Sequence, residues 1–456
     1  MSSPNFSANS RESAIWFDAT TIKKLTNHLP VGLSRVEANV IRGAMKLSNA
    51  MVRYCHFNRY RCQLEELDRS VVQSLLDNYG CGQKTSHDSP MRSQPSHGLK
   101  RRTKSPYLRI GRILEERVRK FLRGRAPSLQ SLNPGNRQIP WQTGDTLVIS
   151  GGSWDSIHAD VLKRLVEIHH IKLVTIIADM IPTLYPHHFE QQATIDSFCR
   201  YAATAASHAA LVLHISESTK CDFDDFAKER GFTQTESQVL YLGTDPVNHR
   251  SSDSQDCPSQ LPLCLDNKKF VLSVSTIQVR KNHQLLYQLW RRFAEEGRDD
   301  IPILVLVGSR GWMTNDLIDQ MDRDPLTRNS ICLLEQTDDA ALNWLYQNCQ
   351  YTLYPSLYEG WGLPIVESLQ HGKPCIASNT SSMPEAGQGL AIHLDPLDFG
   401  AWHKTILEWS QHPEIVSNQS GVIRDSFTTR SWDEFGHELC QRVLRLQESS
   451  RLRSAA

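Results

Sequence analysis

Several things are missing from this sequence, and each absence removes a class of protein. An excess of one charge is missing: 50 Lys and Arg stand against 50 Asp and Glu, a formal net charge of +0. That balance argues against a dedicated nucleic-acid binder. No apolar run approaches the roughly 20 residues needed to span a bilayer. The opening "MSSPNFSANSRES" lacks the apolar core of a secretory signal. The 11 cysteines are scattered. No C-x-x-C pair and no Cys/His cluster has zinc spacing, so neither a structural metal nor a disulfide framework is expected. They read as reduced, mostly buried thiols of a cytosolic protein. The first strand candidate is not followed by G-x-G-x-x-G, which sets aside a pair of dinucleotide-binding domains.

What is present is a rhythm. In the first half the strand candidates are "AIWFD", "VRYCHF", "TLVISGG", "KLVTIIAD", "AALVLHIS" and "QVLYLG". In the second half they are "KFVLSVS", "PILVLVG", "ICLLE", "QYTLYP", "PCIAS" and "LAIHL". Amphipathic helical patterns such as "HADVLKRLVEIHH" and "NHQLLYQLWRRFAEEG" fill the gaps. Short apolar runs alternating with helices predict an α/β protein with parallel sheets covered on both faces. The polar, aperiodic "NHRSSDSQDCPSQLP" reads as a linker over 249–264. It divides a first domain (1–248) from a second (265–430), followed by an amphipathic tail helix within 431–456.

An insertion at about 83–126 breaks the rhythm. The polar "GQKTSHDSPMRSQPSHG" leads into the basic "LKRRTKSPYLRIGRILEERVRKFLRGR". There Leu108, Ile110, Ile113, Leu114, Val118, Phe121 and Leu122 recur at near-helical spacing, with cations between them. A solvated surface helix explains this. So does a helix lying, over about 100–125, on an anionic membrane surface, where each Lys or Arg contributes roughly 1 kcal/mol. RNA binding is the third and weakest reading.

The richest stretch is "LYPSLYEGWGLPIVESLQHGKP". "QYTLYP" reads as a buried strand and "SLYEGWGL" as the loop at its carboxyl end, where open parallel sheets bind ligands. Pro364 suits the first turn of a helix and Gly372 its end, so the helix is about "PIVESLQH". Such a helix start offers free N–H groups and partial positive charge to a phosphate. Gly360 and Gly362 let the backbone approach a ligand closely. Glu359 and Glu367 can face one crevice at two depths and accept hydrogen bonds from two sugars. On spacing alone a turn glutamate and a helix-dipole partner fit as well.

Upstream, Gly32 precedes "LSRVEANVIRGAM", which opens with the capping-box pattern of Ser34 and Glu37. Arg35 there adds charge or merely solvates the surface. Asp179 ends the strand "KLVTII", where a turn aspartate fits equally; His187 and His188 read as surface histidines. The D-x-D strings Asp222/Asp224 and Asp322/Asp324 fall in amphipathic helical patterns and read as solvated faces.

"YEGWGLPIVESLQHGKPCIAS" resembles the E-x7-E segment of retaining glycosyltransferases of family 4. "VLSVSTIQVRKNHQLLYQLW", "LVLVGSRGW", "DDAALNWLYQNCQYTLYPS" and "SSMPEAGQGLAIHLDPLD" follow in that family's order. "FDATT…LPVGLSRVEANV" and "LVTIIADMIPTLYPHHF" are similar to segments of bacterial polysaccharide and O-antigen transferases. The resemblance implies a GT-B fold, with two Rossmann-like domains across a cleft and the tail helix crossing back to the first. It implies that Glu359, Lys281, Arg280 and Asp179 are the catalytic residues. Glu359 would meet the donor sugar and Lys281, with Arg280, the diphosphate. Glu367 would bind the ribose, with Gly360, Gly362, Leu363, Gly32, Thr276 and Gly308 around the donor. The chain departs from the pattern twice. Ala178 stands where many relatives have a histidine, and Ser275-Thr276 where many have an arginine.

The implied activity is transfer of a sugar, with retention, from a nucleoside-diphosphate sugar to a hydroxyl of a lipid-linked glycan, with GDP-mannose as the donor by analogy. No metal and no other cofactor is expected, because the helix start and the Lys281/Arg280 pair handle the leaving charge. The expected place is the cytoplasm, peripheral on the cytoplasmic face of the inner membrane. A catalytically silent scaffold of the same fold and a sugar-nucleotide epimerase are the rival readings.

Overall fold

The computed structural model describes residues 13–24, 32–47, 51–78, 138–232, 235–245, 261, 265, 268–335 and 337–455, the side chains as far as 448. The basic insertion over 83–126 lies outside the described residues, as does the linker except Leu261.

The apolar runs of the first half become strands of one sheet: β1 (Ile15–Asp18), β2 (Val52–Asn58), β3 (Gln63–Leu67), β4 (Thr146–Ile149), β5 (Lys172–Ile177), β6 (Ala209–His214) and β7 (Ser237–Val239). Their order across the seven-stranded sheet is β3-β2-β1-β4-β5-β6-β7. All neighbours are parallel except β2 and β3. That pair corrects the expectation of wholly parallel sheets. β3 reads "QLEEL", too short and too charged to stand out as a buried run. A tight turn makes the antiparallel step possible without a crossover helix. In it the Asn58 Oδ1 accepts from the Tyr60 and Arg61 N–H groups.

The second half forms a six-stranded sheet ordered β10-β9-β8-β11-β12-β13. Its strands are β8 (Phe270–Val274), β9 (Ile303–Val307), β10 (Ile331–Leu334), β11 (Thr352–Tyr354), β12 (Cys375–Ser378) and β13 (Ile392–Leu394), all parallel. Apolar clusters cover both faces of each sheet, with Trp16, Trp290 and Trp402 fully buried among them. Each sheet has a point where strand order reverses, β1/β4 in the first and β8/β11 in the second. Ligand crevices open at such points, outside the carboxyl ends of the strands.

The tail helix Trp432–Ala455 crosses back to the first domain, where Trp432, Phe435, Leu439 and Val443 join its core. It packs on the helix Leu33–Met45 through two glycines. A Cβ on Gly43 would lie 2.7 Å from the Gly436 Cα. The helix Leu33–Met45 also corrects the capping-box reading. Its N-cap is Gly32, and the backbone is already helical at Leu33. Ser34 and Glu37 therefore sit inside the helix, buried, and the Glu37 Oε1 accepts from the Ile22 N–H at 2.8 Å.

Candidate active site

The site forms where β8 and β11 end side by side. After β8 the chain makes one tight turn, Val279–Lys281, and passes through Asn282 at φ 56 before the helix His283–Glu295. The Asn282 amide donates to the Pro396 carbonyl at 3.0 Å and holds that conformation. The Leu357 N–H donates to the Arg280 carbonyl at 2.8 Å, tying the two loops together. Lys281 and Arg280 are thereby turned onto Glu359. The Lys281 Nζ donates to Oε1 at 2.5 Å and the Arg280 guanidinium to Oε2 at 2.8 Å. Lys281 donates again to the Tyr354 hydroxyl at 2.9 Å. Lys281 is 8% and Glu359 7% exposed, so this pair is buried.

Burial alone would raise the Glu359 carboxyl, but the Arg280 and Lys281 charges outweigh it and hold it at about 2. Burial also outweighs the pull of Glu359 on Lys281, bringing that ammonium down to about 8. Asp179 approaches from the first domain. Burial raises its carboxyl, and Arg280 is the strongest charge opposing that rise. Its Oδ1 accepts from the Ile181 N–H at 3.0 Å, so it serves the turn as well.

Glu367 has different company. The helix Leu363–Gln370 carries Pro364 in its first turn and ends before Gly372 at φ +67, as the sequence predicts. From it Glu367 accepts from the Tyr346 hydroxyl at 3.0 Å and from the Arg35 guanidinium, across the cleft, at 3.1 Å. Arg35 also pairs with Asp245. It is a bridge between the domains, not surface decoration. The two glutamates are thus held by separate sets of cations, Glu359 within its own domain and Glu367 from the opposite one.

The glycines divide by what surrounds them. A Cβ on Gly360 would collide with the Ala178 carbonyl oxygen, so this glycine lets domain touch domain. A Cβ on Gly308 would collide with the Ser275 carbonyl, which makes it a packing requirement of the β8 and β9 loops. Gly362, at φ +135, sets the entry to its helix. Gly32, at φ +52, has no atom of a described residue within 4 Å of where a Cβ would be. Leu363 packs, half-buried, against the first-domain core. Thr276 lies half-buried in the turn beyond β8.

Some participants carried no signal in the sequence. The Ser381 hydroxyl accepts from the Glu359 N–H at 2.9 Å. The Ser382 hydroxyl donates to the Glu359 and Trp361 carbonyls at 2.9 and 2.7 Å, pinning the loop. Asp222, read as a solvated face, hydrogen-bonds the Tyr358 hydroxyl of the opposite domain. Desolvation, with Asp225 nearby, raises it to about 6. His188 is buried and stacks on Tyr185, which meets Tyr358 at 5.2 Å. Asp324 accepts from the Tyr287 hydroxyl at 2.9 Å. Among the described residues no group of three or more His, Cys, Asp or Glu is placed to hold a metal ion.

Comparison with known proteins shows what the chain is similar to. Residues 263–418 match the family described as Glycosyl transferases group 1. An O-antigen chain mannosyltransferase B of Escherichia coli is 34% identical over 139 residues, 30% of this chain and 36% of that protein. The O-antigen chain mannosyltransferase RfbU of Salmonella typhimurium is 22% identical over 54% of this chain and 63% of that one. The chain therefore spans less than two thirds of either relative. A crystal structure of Anabaena Alr3699/HepE in complex with UDP and glucose covers 95% of this chain and 100% of its own. It does so at 16% identity with a TM-score of 0.56. The fold is that of the GT-B glycosyltransferases, two α/β domains across a cleft.

Proposed function

We propose that this chain, whose residues 263–418 form a Glycosyl transferases group 1 domain, is a glycosyltransferase of cell-surface polysaccharide synthesis. It moves a sugar from a nucleoside-diphosphate sugar to a glycan hydroxyl. The observation that carries this reading is the buried Lys281–Glu359–Arg280 cluster at the second-domain switch point, with Asp179 facing it. Two cations beside a helix start suit a leaving diphosphate, whose charge grows as the sugar bond breaks. Glu359, fixed by both, offers remaining lone pairs to hydroxyls of the sugar. Glu367 is the ribose contact, reached when Arg35 gives up part of its bridge. Asp179 belongs to the acceptor side.

The mechanism we favour retains configuration. The leaving phosphate takes the acceptor proton on the same face, and the protein positions and stabilises. Charge neutralisation by Arg280 and Lys281 removes the need for a metal, so transfer should persist in EDTA. Relatives named O-antigen chain mannosyltransferases support mannose as the sugar and an O-antigen-type glycan as the acceptor; a GDP leaving group and a lipid-linked acceptor complete the proposal. Such an acceptor places the enzyme at the cytoplasmic membrane face. The test is a thermal-shift screen of GDP-mannose and several UDP-sugars, followed by transfer assays on the donor that binds. Glu367→Ala should lose donor binding while staying folded. Full transfer by that variant would refute the ribose assignment, and no response to any nucleotide-sugar would refute the enzyme.

A further inference from the structure

Behind the catalytic loop, on the side where the chain crosses between domains, lies a cavity of about 590 Å³. That volume falls within the range of small-ligand sites, roughly 300–1,000 Å³. Both domains build it, from the segment after β7, the helix Leu363–Gln370, the short helix Met383–Gly387 and the crossover before the tail helix. Its aromatic wall is Tyr241 and Trp361, with ring centroids 5.3 Å apart. Tyr241 is 40% exposed, an open ring face rather than core filling. The buried indole N–H of Trp361 finds no acceptor among the described residues. Around the rim stand Gln388, Thr428 and Thr429, exposed and uncharged.

The charges at this cavity argue against an anionic guest. Two of the lining residues are carboxylates, Glu385 and Glu434, and one is a cation, Arg430. Arg430 already pairs with Glu438, and Glu385 already accepts from the Glu217 and Ser218 N–H groups. Among the described residues no free cation greets a phosphate here. An exposed aromatic face, Tyr241, beside the half-buried Trp361 and flanked by amide and hydroxyl groups suits a neutral polyhydroxylated molecule, whose C–H faces lie on rings and whose hydroxyls bond the rim. We propose that this cavity binds a neutral saccharide, separately from the nucleotide-sugar. Its guest would be a segment of the glycan being extended, a choice that rests on the proposed function. Because Trp361 lies between Gly360 and Gly362, an occupant touches the loop that carries Glu359 and contacts both domains at once.

The experiment is saturation-transfer NMR on the full chain with a panel of mannose, glucose, galactose and N-acetylglucosamine tetrasaccharides. At least one should bind the wild type and Tyr241→Phe, and bind Tyr241→Ala and Thr428→Ala about tenfold more weakly. UDP and GDP should not compete, and thermal shift by the donor should be unchanged in Tyr241→Ala. The idea falls if no saccharide binds, if Tyr241→Ala binds equally well, or if UDP or GDP displaces the sugar. Saccharide binding that survives in a protein without transferase activity would refute the proposed function and leave the cavity standing.

Discussion

A buried carboxylate held by one buried and one half-buried cation is a commitment at the residue scale. Glu359 neutralises Arg280 and Lys281, and removing one partner of a buried ion pair costs about 3–5 kcal/mol. Glu359→Gln should therefore lower the melting temperature as well as reduce transfer by about 10²-fold or more. A variant that loses transfer with unchanged melting would show the pairing to be incidental. The Glu359 carboxyl, depressed to about 2, contributes stability that is present above its unfolded value, near 4.5, and lost as pH falls toward 2.

Glu37 behaves in the opposite sense. Burial, then the Asp18 charge, pushes it up to about 8, and Ser153 links it to Asp18. The folded state then holds a proton that the unfolded chain has released. Stability falls as pH rises from about 4.5 to about 8, by at most about 1.4 kcal/mol per pH unit. Glu37→Gln keeps the shape and removes that titration. Its melting temperature should change less than the wild type's between about pH 5 and 8, and parallel curves would exclude the proton retained on Glu37.

At the scale of elements, the tail helix and the helix Leu33–Met45 meet glycine to glycine. Neither Gly43 nor Gly436 has room for a side chain. Gly43→Val and Gly436→Val should each destabilise by about 1–3 kcal/mol, the range for overpacked contacts. Chemical denaturation measures this, and an unchanged midpoint would mean the helices separate at no cost. The same helix Leu33–Met45 presents Gly32 and Arg35 to the cleft, so its placement bears on the site. The expected helix at Leu363–Gln370 was legible because Pro364 and Gly372 bracket it. The turn Val279–Lys281 was not, since its shape depends on Pro396 and Leu357, distant in sequence.

For the whole molecule, polar links are among the contacts that hold the two domains at the cleft. Arg35 pairs with Glu367, Asp222 with Tyr358, Glu385 caps the helix that starts at Glu217, and the Trp312 indole donates to the His188 carbonyl at 2.7 Å. These are small polar links of the kind a closing cleft can exchange for ligand contacts. Arg35→Ala should raise the radius of gyration of the ligand-free protein in small-angle scattering. An unchanged curve would show that Arg35 does not hold the domains together.

The alternation of apolar runs and amphipathic stretches determined two α/β domains by itself, because strand and helix periodicity are local properties. Twelve of the thirteen strands among the described residues were visible as such runs, and β3 was not, because an edge strand of glutamates needs no apolar pattern. The motif "YEGWGLPIVE", through its place in an ordered series, pointed to Glu359, Glu367, Lys281 and Arg280. Partnership was decided only in three dimensions. Which cation holds which carboxylate, that Gly360 serves the meeting of domains, that Asp222 is an interface group, and that Ser34 and Glu37 form no cap all depend on residues far apart in the chain. Hydrogen bonds and steric contacts between such residues leave no period in a sequence, because the fold alone brings them within reach.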